Sequence, residues 1–279
     1  AWGTNGNEGN RAAYLDFITT WVGYEWAQGR EGDCDGCGFA GDLATTTATA
    51  VYYAYFVGFA LDDCNVNPAG PNLCTDGAAW IKDNRDYAIG LYADYAAQTY
   101  AASPNRGVVW LLEGDFVQYT YPEQNDPLTM AELGQLAEDI ICAIRANEPN
   151  AVVAVNQSPW LADEVTDAFW GAMPLHLIDF VWTTAVGNND GYLNPGADSS
   201  TYNARTANFA YLSALTRKPI WADTSFGLSQ MSDSWSDLTA AELNARIFEG
   251  VIGVSVTDPP VDYEARLTVL RPQLDSTCR

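Results

Sequence analysis

Glu113 and Asp115 stand one residue apart at the end of an apolar run, in the stretch Arg106-Gly-Val-Val-Trp-Leu-Leu-Glu-Gly-Asp115. Two carboxyls placed this way can divide the work of bond cleavage: one gives a proton to a leaving oxygen, and the other takes a proton or attacks as a nucleophile. The bland alternative is that one of them caps the helix that follows. Similar polar groups close other apolar runs, at Glu25, Asp62 and Asp63, Asn156 and Gln157, Asn188 and Asn189, Asp223, and Asp258 with Asp262. Interleaved with them are the rings of Trp21, Trp26, Tyr55, Trp160, Trp182 and Trp221. Carboxylates, amides and flat apolar rings together suit cleavage of a glycosidic bond, where two carboxyls act on the scissile oxygen and anomeric carbon while rings hold the sugars.

These residues can meet only if the elements carrying them converge. Short apolar runs predict strands at 17–23, 50–59, 108–113, 151–155, 178–184, 219–223 and 251–256, and helical periodicity predicts helices at 80–102, 129–146, 200–216 and 239–250. Strands alternating with helices at this spacing make a parallel sheet, and right-handed crossovers close it into a barrel. The expectation is one distorted (β/α) barrel of seven or eight parallel strands spanning residues 1–279. Its polar strand ends and long loops (26–47, 62–77 and 187–200) gather on the C-terminal rim, where such barrels do their chemistry.

Composition narrows the field. The 36 acidic residues outnumber 13 basic ones, and Lys82 and Lys218 are the only lysines, so nucleic acid and anionic membranes are repelled. No apolar run approaches a membrane span. The single histidine, His176, lies just before a strand and is expected to be a packed structural residue, which argues against histidine-based triads and zinc sites. No Gly-rich phosphate loop or dinucleotide fingerprint follows a strand, so no cofactor is expected; no metal is assigned to the site, and Asp33-Cys-Asp-Gly36 is acidic enough to attract Ca²⁺ but too short to read as a calcium loop.

Six cysteines point to disulfides and an oxidising compartment, and the start at Ala1 without a basic or apolar leader suits a mature secreted protein. Proximity suggests the pairs Cys34–Cys37 and Cys64–Cys74, leaving Cys142 for Cys278. The Cys34–Cys37 spacing also suits a redox or metal site, although no second ligand pair lies nearby.

Four segments together resemble family six glycoside hydrolases, the inverting cellulases. Glu113-Gly-Asp115 is similar to that family's Glu-Pro-Asp motif, and Asp63-Cys64 to its Asp-Cys pair. The segment 180–192 resembles its strand leading into an Asn-rich loop, and 220–227 its later strand ending in Asp and a glycine turn. The resemblance implies an inverting enzyme that cleaves a β-1,4-glucan; a monomer acting on polysaccharide is expected. Asp115 would be its general acid, Asp63 would raise the pKa of Asp115 and share its proton, and Glu113 would orient the loop. Asp262 or Asp258 would act as base. Glu25, Tyr55, Trp160, Trp182, Asn188, Asn189, Trp221 and Asp258 would line the substrate cleft. Two other readings of the same residues stay open. One is a retaining glycosidase with Glu113 as acid/base and Asp223 as nucleophile; the other is a barrel that binds glycans without cleaving them.

Overall fold

The computed structural model describes residues 2–5, 14–27, 29–30, 32–61, 71–114, 116–158, 161–184, 208–223, 235, 238–256 and 261–274. Among them run the parallel strands β1 (Trp2–Asn5), β2 (Phe17–Val22), β3 (Thr49–Ala54), β4 (Val109–Leu112), β5 (Val152–Gln157), β6 (Phe180–Thr184), β7 (Ile220–Asp223) and β8 (Val251–Val256). They pair in sequence order, and β8 pairs with β1, so the barrel is closed. Outside it lie α1 (Tyr24–Ala27), α2 (Asp35–Leu43), α3 (Phe56–Ala60), α4 (Leu73–Ala102), α5 (Met130–Asn147), α6 (Asp163–Ala172), α7 (Phe209–Thr216), α8 (Ala240–Phe248) and α9 (Tyr263–Leu270).

Strand alternation sorts the side chains into two layers. Phe17, Val51, Tyr53, Val109, Leu111, Ala154, Phe180, Trp182 and Trp221 form a cluster to which no helix contributes, and this cluster fills the lumen. Their neighbours Ile18, Tyr52, Trp110, Leu112, Val153 and Val181 point the other way and pack with Tyr92, Tyr95, Leu136 and Ile140 of the helices. Strands buried on both faces explain why the runs are continuously apolar rather than alternating. A side chain of this size contributes about 2–3 kcal/mol when fully buried.

The helices start where their sequences supply acceptors for the first free N–H groups. The Asn72 side chain accepts from the N–H of Cys74 and Thr75 ahead of α4, and Thr129–Glu132 and Thr239–Glu242 form capping boxes on α5 and α8.

Several expectations move. The strand expected at 50–59 ends at Ala54, and the same apolar run continues as α3, because composition alone does not separate a buried strand from a buried helix. The helix expected from residue 80 begins at Leu73, behind its Asn72 cap. β1 was not expected, since Trp2-Gly-Thr-Asn5 carries a single large apolar residue. His176 is exposed in a 3-10 turn ahead of β6 rather than packed. Cys142 is an exposed free thiol on α5, which removes the expected Cys142–Cys278 bridge.

The N-terminal rim is held by buried or half-buried charges. Arg106, just ahead of β4, donates to the carbonyl of Leu43 at the end of α2 and to those of Thr46, Thr47 and Ala48 in the loop that leads on into β3. Glu148 accepts from the Val108 N–H at 2.7 Å and the Trp110 indole N–H at 2.8 Å. Burial pushes its carboxyl up to about 7, against the opposing pull of those two donors. Asp179, ahead of β6, accepts from the Val153 N–H and pairs with Arg145.

Candidate active site

Asp223 is the last residue of β7 and is fully buried, in register with Thr184 of β6 and Ser255 of β8. It lies two residues beyond Trp221, hence on the same lumen-facing side. The Tyr53 hydroxyl donates to its Oδ2 at 2.6 Å. In a ring of eight strands β3 and β7 are diametrically opposed, so this bond spans the lumen beneath the C-terminal mouth. A hydrogen bond this short fixes the orientation of the carboxylate.

Aromatic rings surround the pair. Trp182 meets Tyr53 at 5.3 Å, and Trp221 stacks on Phe180 at 5.2 Å and meets Phe17 at 3.8 Å. Trp182 and Trp221, expected to line the cleft, are 1% and 5% exposed, and the Nε1 of neither has a hydrogen-bond partner among the described residues. Asn156, at the end of β5 in register with Trp182, accepts from the Ser158 hydroxyl. Gln157 points to the helix layer and accepts from the Trp170 indole.

Glu113 has φ +32°, in the left-handed region that a residue with a side chain rarely adopts. Val109 and Leu111 face the lumen, so regular alternation would send residue 113 there too. The left-handed turn breaks that alternation. The Glu113 carboxylate is instead fully buried toward the helices, where Oε1 accepts from the Val57 N–H at the start of α3 and from the Tyr92 hydroxyl of α4. Glu25 is bound in a similar way: it is 3% exposed and accepts from the N–H of Gly23 and Asp35 and from the Tyr95 hydroxyl. Both carboxylates therefore organise backbone on the C-terminal rim.

Asp262 sits exposed ahead of α9 and pairs with Arg266 at 2.9 Å; that hydrogen bond holds its carboxyl below the usual range. Asp63, Asp115, Trp160, Asn188, Asn189 and Asp258 lie outside the described residues, as do Cys64 and Cys278. The Sγ atoms of Cys34 and Cys37 meet across the first turn of α2. No cluster of His, Cys, Asp and Glu that could hold a metal ion is found among the described residues, and no described helix is long and apolar enough to cross a membrane.

Sequence reasoning missed Tyr53. The available signal was parity: Tyr53 and Tyr55 alternate with the outward Tyr52, which places Tyr53 on the inner face. It also missed Tyr24 and Phe59. They join Trp21 and Tyr55 in a ring cluster above β2 and β3, with Tyr24–Phe59 and Tyr55–Phe59 centroids both 5.4 Å apart.

The closed (β/α)8 barrel with its lumen-facing carboxylate at the end of β7 defines the fold class. No protein-family model matches the chain, and no curated protein does. Solved structures match. A GH26 β-mannanase from Bacteroides ovatus is similar over 98% of this chain and 89% of its own, at 11% identity and TM-score 0.58. A modular endo-β-1,4-mannanase from Cellulomonas fimi matches 97% of this chain and 70% of its own, at 11% identity and TM-score 0.61. Xylanase 10B from Thermotoga petrophila matches 92% and 81%, at 10% identity and TM-score 0.52. At these identities the likeness shows the barrel fold. The matched barrels are mannanases and a xylanase, not family six cellulases, which overturns the family-six resemblance together with the inverting scheme drawn from it.

Proposed function

We propose that the chain is a retaining glycoside hydrolase acting on a β-linked polysaccharide, with Asp223 as the nucleophile. The observation that carries this reading is the position of Asp223: a buried carboxylate at the C-terminal end of β7, inside the barrel, held by Tyr53 from the opposite wall. Asp223 attacks the anomeric carbon as a carboxyl from the end of β4 protonates the leaving oxygen. Water, deprotonated by that same β4 group, then opens the glycosyl ester, and two inversions give net retention.

The described oxygen contacts of Glu113 lie in the helix layer. The acid/base role is therefore assigned to Asp115, two residues on in the sequence. The similar structures include endo-β-1,4-mannanases and a xylanase, so β-1,4-linked mannan and xylan are the first substrates to try, ahead of β-1,4-glucan. Secretion and disulfide pairing at Cys34–Cys37 belong to the same reading.

Proton NMR of the fresh products tests it. The β-anomer should appear first from a β-linked chain, and a 2-deoxy-2-fluoro glycoside should leave a covalent adduct on Asp223. Asp115→Asn should lose most activity, about 10²–10⁴-fold, while Glu113→Gln should lose far less. First release of the α-anomer, or an adduct elsewhere, would end the assignment; binding of polysaccharide without cleavage would favour the non-catalytic barrel.

A further inference from the structure

The C-terminal rim carries a second feature beside Asp223: a group of rings that water still reaches. Trp21, near the end of β2, is 44% exposed, and Tyr24, just after the turn, is 53% exposed. The Trp21 indole stacks on Tyr53 at 5.0 Å with the planes 28° apart, while Tyr55 and Phe59 meet it steeply at 6.0 and 6.1 Å. The steep contacts brace the indole and the stacked contact ties it to the tyrosine that holds Asp223.

The cluster is preformed. A Cβ built on Gly58 would lie 2.0 Å from the Tyr55 ring, so that ring rests directly on the backbone of α3. Gly23, at φ +103°, turns the chain from β2 into α1, and the buried Glu25 carboxylate fixes that turn through the Gly23 N–H. Rings held this way lose little freedom on binding, which favours affinity.

We infer that Trp21, Tyr24, Tyr55 and Phe59 form a sugar platform that takes the apolar face of an uncharged pyranose, one residue along the chain from the sugar that Asp223 attacks. Tyr53 touches the indole with its ring face and Asp223 with its hydroxyl, which places the platform beside the reacting centre rather than at it. Charge selects the ligand. The chain is strongly acidic, and Arg30, the cation that follows α1, is paired with Asp33 and Asp35, so uronic and sulfated sugars are disfavoured and a neutral glycan is accepted. The inference rests on the hydrolase reading for the direction of the glycan, and on the rings alone for binding.

Isothermal titration of the full chain with mannotetraose, xylotetraose and cellotetraose tests it. At least one of these should bind. Trp21→Ala should weaken that binding tenfold or more, Tyr24→Ala should weaken it severalfold, and Trp21→Phe should recover much of the loss. With catalysis present, Trp21→Ala should raise KM more than it lowers kcat. Melting curves show whether each variant is folded; Tyr24→Ala and Trp21→Phe carry the test if Trp21→Ala is not. Unchanged affinity in the folded Trp21 and Tyr24 variants, or no binding of any of the three tetrasaccharides, would overturn the platform. Binding that depends on Trp21 without release of reducing sugar would uphold the platform and defeat the hydrolase reading.

Discussion

At the N-terminal rim Arg106 donates to four carbonyls at the end of α2 and in the loop after it, and Glu148 takes two N–H groups, so the charges there are engaged with the barrel's own backbone and core. At the C-terminal rim two carboxylates, Glu25 and Glu113, do similar work, while a third, Asp223, is held by a phenol from across the lumen. One end of the barrel is fastened by its ions; the other is fastened by two of them and presents the third to the lumen. The contrast follows from topology, because loops entering strands need only be tied down whereas loops leaving strands converge on one mouth. It also separates residues whose loss should cost stability from residues whose loss should cost chemistry.

The largest expected effect is at Asp223. Asp223→Asn should lower turnover by at least about 10³-fold with the melting temperature unchanged or raised, since a buried charge is replaced by a neutral amide. Reducing-sugar release and thermal melts of the same sample check both halves. At the other rim, Arg106→Ala should lower unfolding free energy by about 3–4 kcal/mol, because four carbonyls lose a charged donor at once. Activity per folded molecule should hold, and a loss of turnover without a loss of stability would erase the division between the rims.

Glu148 gives the comparison a pH axis. Its folded pKa of about 7 lies above the ordinary glutamate value of 4.5, so the folded chain binds this proton more tightly than the unfolded chain does. Its contribution is complete below about 4.5 and disappears as pH rises through about 7, a change of about 3 kcal/mol. Urea melts across that window should show a slope that flattens in Glu148→Gln. The smallest effect is at Tyr53: Tyr53→Phe should cost about tenfold in kcat while leaving the barrel folded, the weight of one hydrogen bond to a charged group. A stopped assay and a circular dichroism melt would separate the two.

Much of the barrel could be read from the sequence because strands buried on both faces announce themselves as apolar runs, and seven of the eight did so. β1 could not be read this way, since Gly3, Thr4 and Asn5 carry no apolar signal and owe their pairing to the two strands they join. Asp223 was legible as a polar residue ending a run. Its partner was not: Tyr53 is 170 residues away in sequence and reaches Asp223 only once the ring is closed. Glu113 is the sharper lesson. Its type and place pointed to the cleft, but one left-handed φ turned its carboxylate toward Val57 and Tyr92, and no residue pattern encodes that sign.

The strand that closes the ring is also its shortest in pairing. β1 matches three residues of β2 and three of β8, whereas β2 and β3 match over six. Joining residue 3 to residue 255 closes nearly the whole chain into a loop, an entropic cost that nearest-neighbour strand pairs do not carry. Contacts of such long range form slowly, so this seam is expected to knit late in folding. Until it does, the sheet has two bare edges that can pair with another molecule. Refolding yield should therefore fall as protein concentration rises, and backbone amides along β1 should exchange with solvent sooner than those of β4 and β5.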